Sequence, residues 1–195
     1  MNSKIDSIAL FGTSADPPTL GHQALLRELT KTFPKVITWA SDNPDKSHQI
    51  PLIKRTQLLR ILVQKISNPR LELIQELSSP RTIHTLNKAF QLWPKASFSF
   101  VIGSDLAVDI PKWLNAKSIL NKAKIAIANR DGWPLSDIQL KEIKKLGGEV
   151  ELLPFDIPES SSSKFREKPQ EKLIPSELIP ILVKENLYGL ADKRK

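Results

Sequence analysis

The chain has 195 residues, with 29 Lys and Arg against 21 Asp and Glu, a formal net charge of +8, and 40% hydrophobic residues, enough for the core of one domain. There is no Cys, which excludes disulfides, Cys-ligated zinc, iron–sulfur clusters and cysteine nucleophiles and points to a reducing, cytoplasmic compartment. No uninterrupted apolar run exceeds four residues, so neither a membrane-spanning helix nor a signal-peptide core is expected.

Hydrophobic periodicity switches along the chain between two and about 3.6. Ser7–Phe11 reads as a buried strand ending at Gly12. Leu20–Thr32 reads as a helix with Leu25, Leu26, Leu29 and Phe33 on one face and Pro34 as its stop. Val36–Ala40 is a second strand. Pro51 opens a helix striped by Leu58, Leu59, Leu62, Val63 and Ile66 and closed by Asn68-Pro69. A third strand is expected over Leu71–Leu77, then a helix carrying Ile83, Leu86, Phe90 and Trp93 that Pro94 ends. Ser97–Ile102 alternates cleanly and stops at Gly103; Ile125–Ala128 and Glu149–Leu153 are further strands. Between these two lies a helix with the capping box Ser136-x-x-Gln139 and the stop Gly147-Gly148. Pro154–Pro169, rich in Ser and Pro, is the main composition shift. A last helix is expected over Ser176–Leu187, weakened in its first turn by Pro180. Strands alternating with helices predict an α/β, Rossmann-like parallel sheet covered by helices on both faces. The expected organisation is one domain over residues 1–190, ending in a small helical portion, and a basic tail at 191–195.

The positive balance fits nucleic-acid binding and polyphosphate handling equally. The basic stretches Lys141–Lys145 and Lys193–Lys195 have no interleaved aromatics, so composition leaves both open. Open parallel sheets bind ligands beyond the carboxyl ends of their strands, where strand order reverses. The loop after the first strand is therefore the first candidate. It reads Gly12-Thr13-Ser14-Ala15-Asp16-Pro17-Pro18-Thr19-Leu20-Gly21-His22. It is neither a GxGxxG fingerprint nor a GxxxxGK[ST] loop. It offers small residues for close backbone approach, hydroxyls, and Thr19 and His22 three apart at a helix start, where free N–H groups favour anions. Together these suit a polyphosphate, although Thr19 alone could be an N-cap and His22 an ordinary surface or core histidine. Lys46, in the turn Asn43-Pro44-Asp45-Lys46, is a point charge for phosphate. Gly103 permits close approach and Asp105 can accept ribose hydroxyls. Ser160–Ser163, followed by Arg166, offer hydroxyls opening a helix and a guanidinium, a second phosphate grip.

Thr19-Leu20-Gly21-His22 resembles the (H/T)xGH signature of the nucleotidyltransferase superfamily in its threonine-first form. From Ile8 to about Leu190 the chain resembles the bacterial, cyanobacterial-like nicotinate-nucleotide adenylyltransferases. Asn43–Lys46 falls where that family has Pro-His-Lys, with Asp45 in place of His, and Arg55 matches a family arginine. Ser79–Leu86 falls where it has Ser-Tyr-Thr-x-Asp-Thr-Leu. Here Arg81 replaces Tyr and His84 replaces Asp, while Thr82 and Thr85 are kept. Phe100–Asp105 resembles its Ile-Gly-Ala-Asp, and Pro158–Arg166 its Ile-Ser-Ser-Thr-x-Ile-Arg.

The resemblance implies the HIGH-type nucleotidyltransferase fold and transfer of AMP from ATP to nicotinate mononucleotide, with pyrophosphate released. It implies His22, Thr19, Lys46 and Arg166 as catalytic groups, and Gly12, Thr13, Ser14, Gly21, Gly103, Asp105, Ser161, Ser162 and Ser163, with His22 and Arg166, around ATP. Asn43, Lys46, Arg81, Thr82, Thr85 and Trp113 are implied around the pyridine nucleotide, with Trp113 stacked on the ring and the N–H groups near Thr82 receiving the carboxylate. Mg²⁺ would come with ATP and need no dedicated protein site; nucleic acid and membranes are not implied as partners. The alternatives are adenylyl transfer to nicotinamide mononucleotide or phosphopantetheine, a catalytically dead relative, and a basic nucleic-acid-binding module.

Overall fold

Strands and helices alternate as the switching period predicts, in a computed structural model that describes residues 7–158 and 162–192. The first half runs β1 (Ser7–Thr13), α1 (Leu20–Thr32), β2 (Lys35–Ala40), α2 (Leu52–Ile66), β3 (Leu71–Leu73) and α3 (Thr82–Leu92). The second runs β4 (Ser97–Gly103), α4 (Ala116–Lys122), β5 (Lys124–Arg130), α5 (Asp137–Lys145), β6 (Val150–Ile157), α6 (Ser162–Glu167) and α7 (Ile179–Lys184). The six strands form one sheet in the order β3-β2-β1-β4-β5-β6, and every neighbouring pair is parallel. The basic residues Lys193–Lys195 lie outside the described residues. None of the described helices is long and apolar enough to cross a membrane.

Alternation along the strands sorts the core between two faces. Ile8, Leu10, Ile37, Trp39, Phe98, Phe100, Ile102, Ile125 and Ile127 meet Ile83 and Leu86 of α3, Ile119 and Leu120 of α4 and Ile143 of α5. On the other face Ala9, Phe11, Val36, Val101, Ala126 and Ala128 meet Leu25, Leu26 and Leu29 of α1 and Leu59 and Leu62 of α2. α1 packs on this second face through its leucines. Burial of each of its three leucines contributes about 1.5–3 kcal/mol. A third cluster joins Phe165, Leu178, Leu182, Tyr188 and Leu190 to Ile50 and to Leu58 of α2, and so attaches the C-terminal portion.

The structure departs from expectation where a side chain replaces backbone pairing or a proline intervenes. The third strand stops at Leu73, because the Gln75 amide takes over at the end of β2. It accepts from the Ala40 N–H at 3.0 Å and donates to the Ala40 carbonyl at 2.8 Å. β6 runs on through Pro154 by bulging: two steps on β5, Ile127 to Asn129, match four on β6, Leu152 to Asp156. An edge strand tolerates a residue without an N–H in this way. α4 and the 3₁₀ segment Ser104–Lys112 were not foreseen. The C-terminal helix breaks into a 3₁₀ turn, Ser176–Leu178, and α7, with Pro180 in the first turn of α7, where a missing N–H costs no helical bond. It ends before Asn186, which is left-handed.

Gly12 also has a structural reason to lack a side chain: it admits Trp39, its pairing partner on β2, and a Cβ at Gly12 would lie 2.6 Å from the indole ring, itself buried. Gly12→Ala should therefore destabilise the fold by about 1–3 kcal/mol, read as a lower urea midpoint at unchanged slope.

Candidate functional site

β1 and β4 pair from Ser7↔Ser97 to Leu10↔Phe100 and then separate. β1 stays with β2 to Thr13↔Ala40, and β4 with β5 to Gly103↔Ala128. A cleft of about 580 Å³ opens between the diverging ends, at the point where strand order reverses. Gly12, Thr13, Ser14, Gly21, His22, Asn43, Lys46, Thr82, Thr85, Gly103, Asp105, Trp113, Ser162, Ser163 and Arg166 line it, so segments remote in sequence meet in one place.

His22 sits in the first turn of α1. Its Nδ1 accepts the backbone N–H of Thr19 at 3.1 Å, which leaves Nε2 as the protonated nitrogen, 2.8 Å from Thr13 Oγ1. Burial first, then the charges of Arg130 and Lys46, bring its pKa from the usual 6.5 to about 4. At neutral pH the cleft therefore contains a neutral imidazole presenting an N–H. Thr19 is corrected from the cleft wall to a supporting place. It is fully buried as the N-cap of α1, with its Oγ1 2.9 Å from His22 Nδ1, because an N-cap hydroxyl turns toward its own helix end. Thr13 supplies the hydroxyl beside the imidazole instead.

Ser162 and Arg166 are fastened to the first loop. Ser162 Oγ donates to the Pro17 carbonyl at 2.8 Å, and Arg166 Nη1 donates to the Asp16 carbonyl at 2.8 Å. The other arm of the guanidinium reaches Ser163 Oγ at 3.2 Å. Ser161 lies outside the described residues. Arg55, 1% exposed, is a strut and not a wall residue: its Nη1 donates to the carbonyls of Ser14 and Ser41, each at 2.7 Å, tying the first loop to the one after β2.

Asp105 pairs with Arg130 at 2.7 Å, and its carboxylate folds over Gly103, where a Cβ would lie 2.4 Å from Oδ1. Arg130 also lines the cleft and was missed in the sequence. A basic residue at the carboxyl end of the strand beside the switch point was the signal. His48 is a second omission, on the wall with Nε2 3.4 Å from Ser14 Oγ.

At the other end of the cleft, Thr82 and Thr85 begin α3, whose N-cap residue, Arg81, makes no side-chain cap. Trp113 stands edge-to-face with Phe100, centroids 5.9 Å apart. Lys46 makes no ion pair among the described residues. Arg81, implied around the pyridine nucleotide, holds Asp45 at 2.8 Å. The two substitutions thus pair with each other across the cleft's rim, and the extra charge is neutralised. His84 points to solvent on α3.

The environment of His22 has a pH signature. The unfolded chain takes up a proton near 6.5 and the folded one only near 4. Stability from neutral His22 is therefore complete above about pH 6.5 and declines as pH falls toward 4. An ¹⁵N-resolved titration should show His22 as the Nε2–H tautomer at pH 7, with its transition near pH 4; a transition near 6.5 would place the ring in solvent.

Residues 10–168 match the cytidylyltransferase-like family. A probable nicotinate-nucleotide adenylyltransferase of Synechocystis sp. is 33% identical over 93% of this chain and 98% of its own length. The nicotinate-nucleotide adenylyltransferase of Bacillus subtilis is 28% identical over 93% of this chain and 97% of its own. The solved structure of Plasmodium falciparum nicotinic acid mononucleotide adenylyltransferase complexed with NaAD shares the fold, with a TM-score of 0.79 at 23% identity over 94% of this chain and 98% of that one.

Proposed function

The chain belongs to the cytidylyltransferase-like family, and we propose that it transfers the adenylyl group of ATP to nicotinate mononucleotide, giving nicotinate adenine dinucleotide and pyrophosphate. The observation that carries this reading is the meeting of two anion-holding groups in one cleft: the His22 Nε2–H beside Thr13, and the Arg166 guanidinium with Ser162 and Ser163. The acceptor's phosphate oxygen attacks the α-phosphorus, a new P–O bond forms, and the bond from the α-phosphorus to the bridging oxygen breaks as pyrophosphate leaves. The acceptor phosphate is itself the nucleophile, so no side chain has to be one. What the protein supplies is alignment and neutralisation of charge.

In this reading His22 turns its Nε2–H from Thr13 to an α-phosphate oxygen as charge gathers there. A neutral donor suits the step, since its proton stays bound throughout. Arg166, Ser162 and Ser163 hold the β- and γ-phosphates, while Gly103 and Asp105, the latter steadied by Arg130, stand beside the ribose. Lys46 and Asn43 take the mononucleotide phosphate, and Trp113 the pyridine ring. The start of α3, with the N–H groups beside Thr82 and with Thr85 one turn on, receives the carboxylate. ATP enters with a divalent cation, for which we propose Mg²⁺. No group of three or more His, Asp or Glu side chains is placed to cage a metal among the described residues. Asp105 is also already paired with Arg130. An ion of this kind that enters with ATP would be held chiefly by phosphate oxygens and would offset their charge.

Pyrophosphate release with ATP and a panel of mononucleotides tests the assignment. His22→Ala should lower turnover on the order of 10²–10³-fold, about 2.7–4 kcal/mol, without unfolding. Near-normal turnover by the folded variant would remove His22 from the chemistry.

The carboxylate site should favour nicotinate over nicotinamide mononucleotide by at least roughly tenfold in kcat/KM, because a carboxamide brings N–H groups to donors. The Arg81–Asp45 pair adjusts that ratio. Asp45→Asn unmasks the arginine and should raise it about two- to fivefold, whereas Arg81→Ala leaves a bare carboxylate and should lower it by a similar factor, as suits an exposed pair. Equal use of both mononucleotides would contradict the acid assignment.

A further inference from the structure

Tyr188 is the chain's one tyrosine, and it lies in the C-terminal portion, outside the cleft. Its hydroxyl donates to Asp16 Oδ1 at 2.7 Å, a buried contact across 172 positions of sequence. Asp16 is fully buried and occupied on every side. Oδ2 accepts the Gln49 N–H at 2.7 Å and lies 3.7 Å from Arg166 Nη1, and the Asp16 carbonyl accepts that same Nη1 at 2.8 Å. The Tyr188 ring meets Phe165 edge-to-face, centroids 5.6 Å apart, and Phe165 is the residue before Arg166 on α6. Tyr188 therefore supports the seat of Arg166 from both directions, with its ring under the helix that carries the arginine and its hydroxyl on the residue that holds the guanidinium.

The backbone departs from its preferred geometry to put Tyr188 there. Asn186 has φ 45°, Tyr188 φ 60° and Gly189 φ 67°, and for an aromatic residue this left-handed region is rarely populated. Such a conformation persists where the surroundings impose it. Burial and the Asp16 carboxylate push the phenol's pKa up, so the hydroxyl remains a donor at any working pH.

We infer that Tyr188 is a positioning residue for the triphosphate end of the site: through Asp16 and Phe165 it sets the guanidinium of Arg166 where the β- and γ-phosphates of ATP bind. The inference rests on the reading of Arg166 as the polyphosphate grip. It makes ATP affinity depend on a turn near the C-terminal end of the chain.

Tyr188→Phe, which keeps the ring and removes the hydroxyl, tests it. Steady-state kinetics should show KM for ATP raised about five- to tenfold, with kcat and KM for the mononucleotide within about twofold. Calorimetric Kd for a non-hydrolysable ATP analogue should rise by the same factor. In an Arg166→Ala background, Tyr188→Phe should add less than about twofold, because the group it positions is gone. Asp16→Asn, read in the same way, should reproduce the ATP-selective loss and serves if Tyr188→Phe does not fold. Unchanged ATP affinity in a folded variant, equal loss for both substrates, or factors that multiply with Arg166→Ala would each overturn the inference. If the wild-type protein does not adenylylate nicotinate mononucleotide, the reaction assignment fails, while analogue binding still decides the role of Tyr188.

Discussion

Two sets of crossovers leave the centre of the sheet in opposite directions, and everything at the site depends on that reversal. From β1 the chain passes through α1, packed on one face, to β2; from β4 it passes through α4, packed on the other, to β5. The loops that follow β1 and β4 must therefore diverge, and the ladder between these strands ends at Leu10 and Phe100. A cleft at this point follows from right-handed connections and needs no residue of its own. What the sequence adds is the chemistry of its walls.

That chemistry is built from polar groups whose directions are already determined. The Thr19 N–H selects the tautomer of His22, the carbonyls of Ser14 and Ser41 hold Arg55, and the carbonyls of Asp16 and Pro17 hold Arg166 and Ser162. Backbone groups supply most of these contacts, so the site is as rigid as the loops are. Donors oriented before a charge develops stabilise it without reorganisation, which is the greater part of what a phosphoryl-transfer site must do. The buried carboxylate of Asp16 links the first loop, the loop after β2 and the C-terminal portion through Arg166, Gln49 and Tyr188.

The parts legible in the sequence are those governed by near neighbours. Alternation exposed β1, β2 and β4, leucine spacing exposed α1 and α2, and the threonine–histidine spacing at a helix start located the first wall. Pairings across long separations were not legible. The Arg81–Asp45 pair spans 36 positions, and the partner of Tyr188 lies on the first loop, so neither pairing has a signal in local sequence. β6 was cut short at Leu153 because Pro154 looks like an end when the edge position that tolerates it is unknown. α4 has only seven residues, too few for a clear period. Thr19 was placed on the right turn but the wrong side, since spacing locates a hydroxyl on a helix face and not which neighbour it satisfies.

A crystal structure with a non-hydrolysable ATP analogue and nicotinate mononucleotide tests most directly the claim that the two grips hold one triphosphate across the strand reversal. The account predicts an α-phosphate oxygen within hydrogen-bond distance of His22 Nε2, with Thr13 released from that nitrogen, and the β- and γ-phosphates on Arg166, Ser162 and Ser163. A triphosphate bound away from Arg166, with His22 still resting on Thr13, would contradict it.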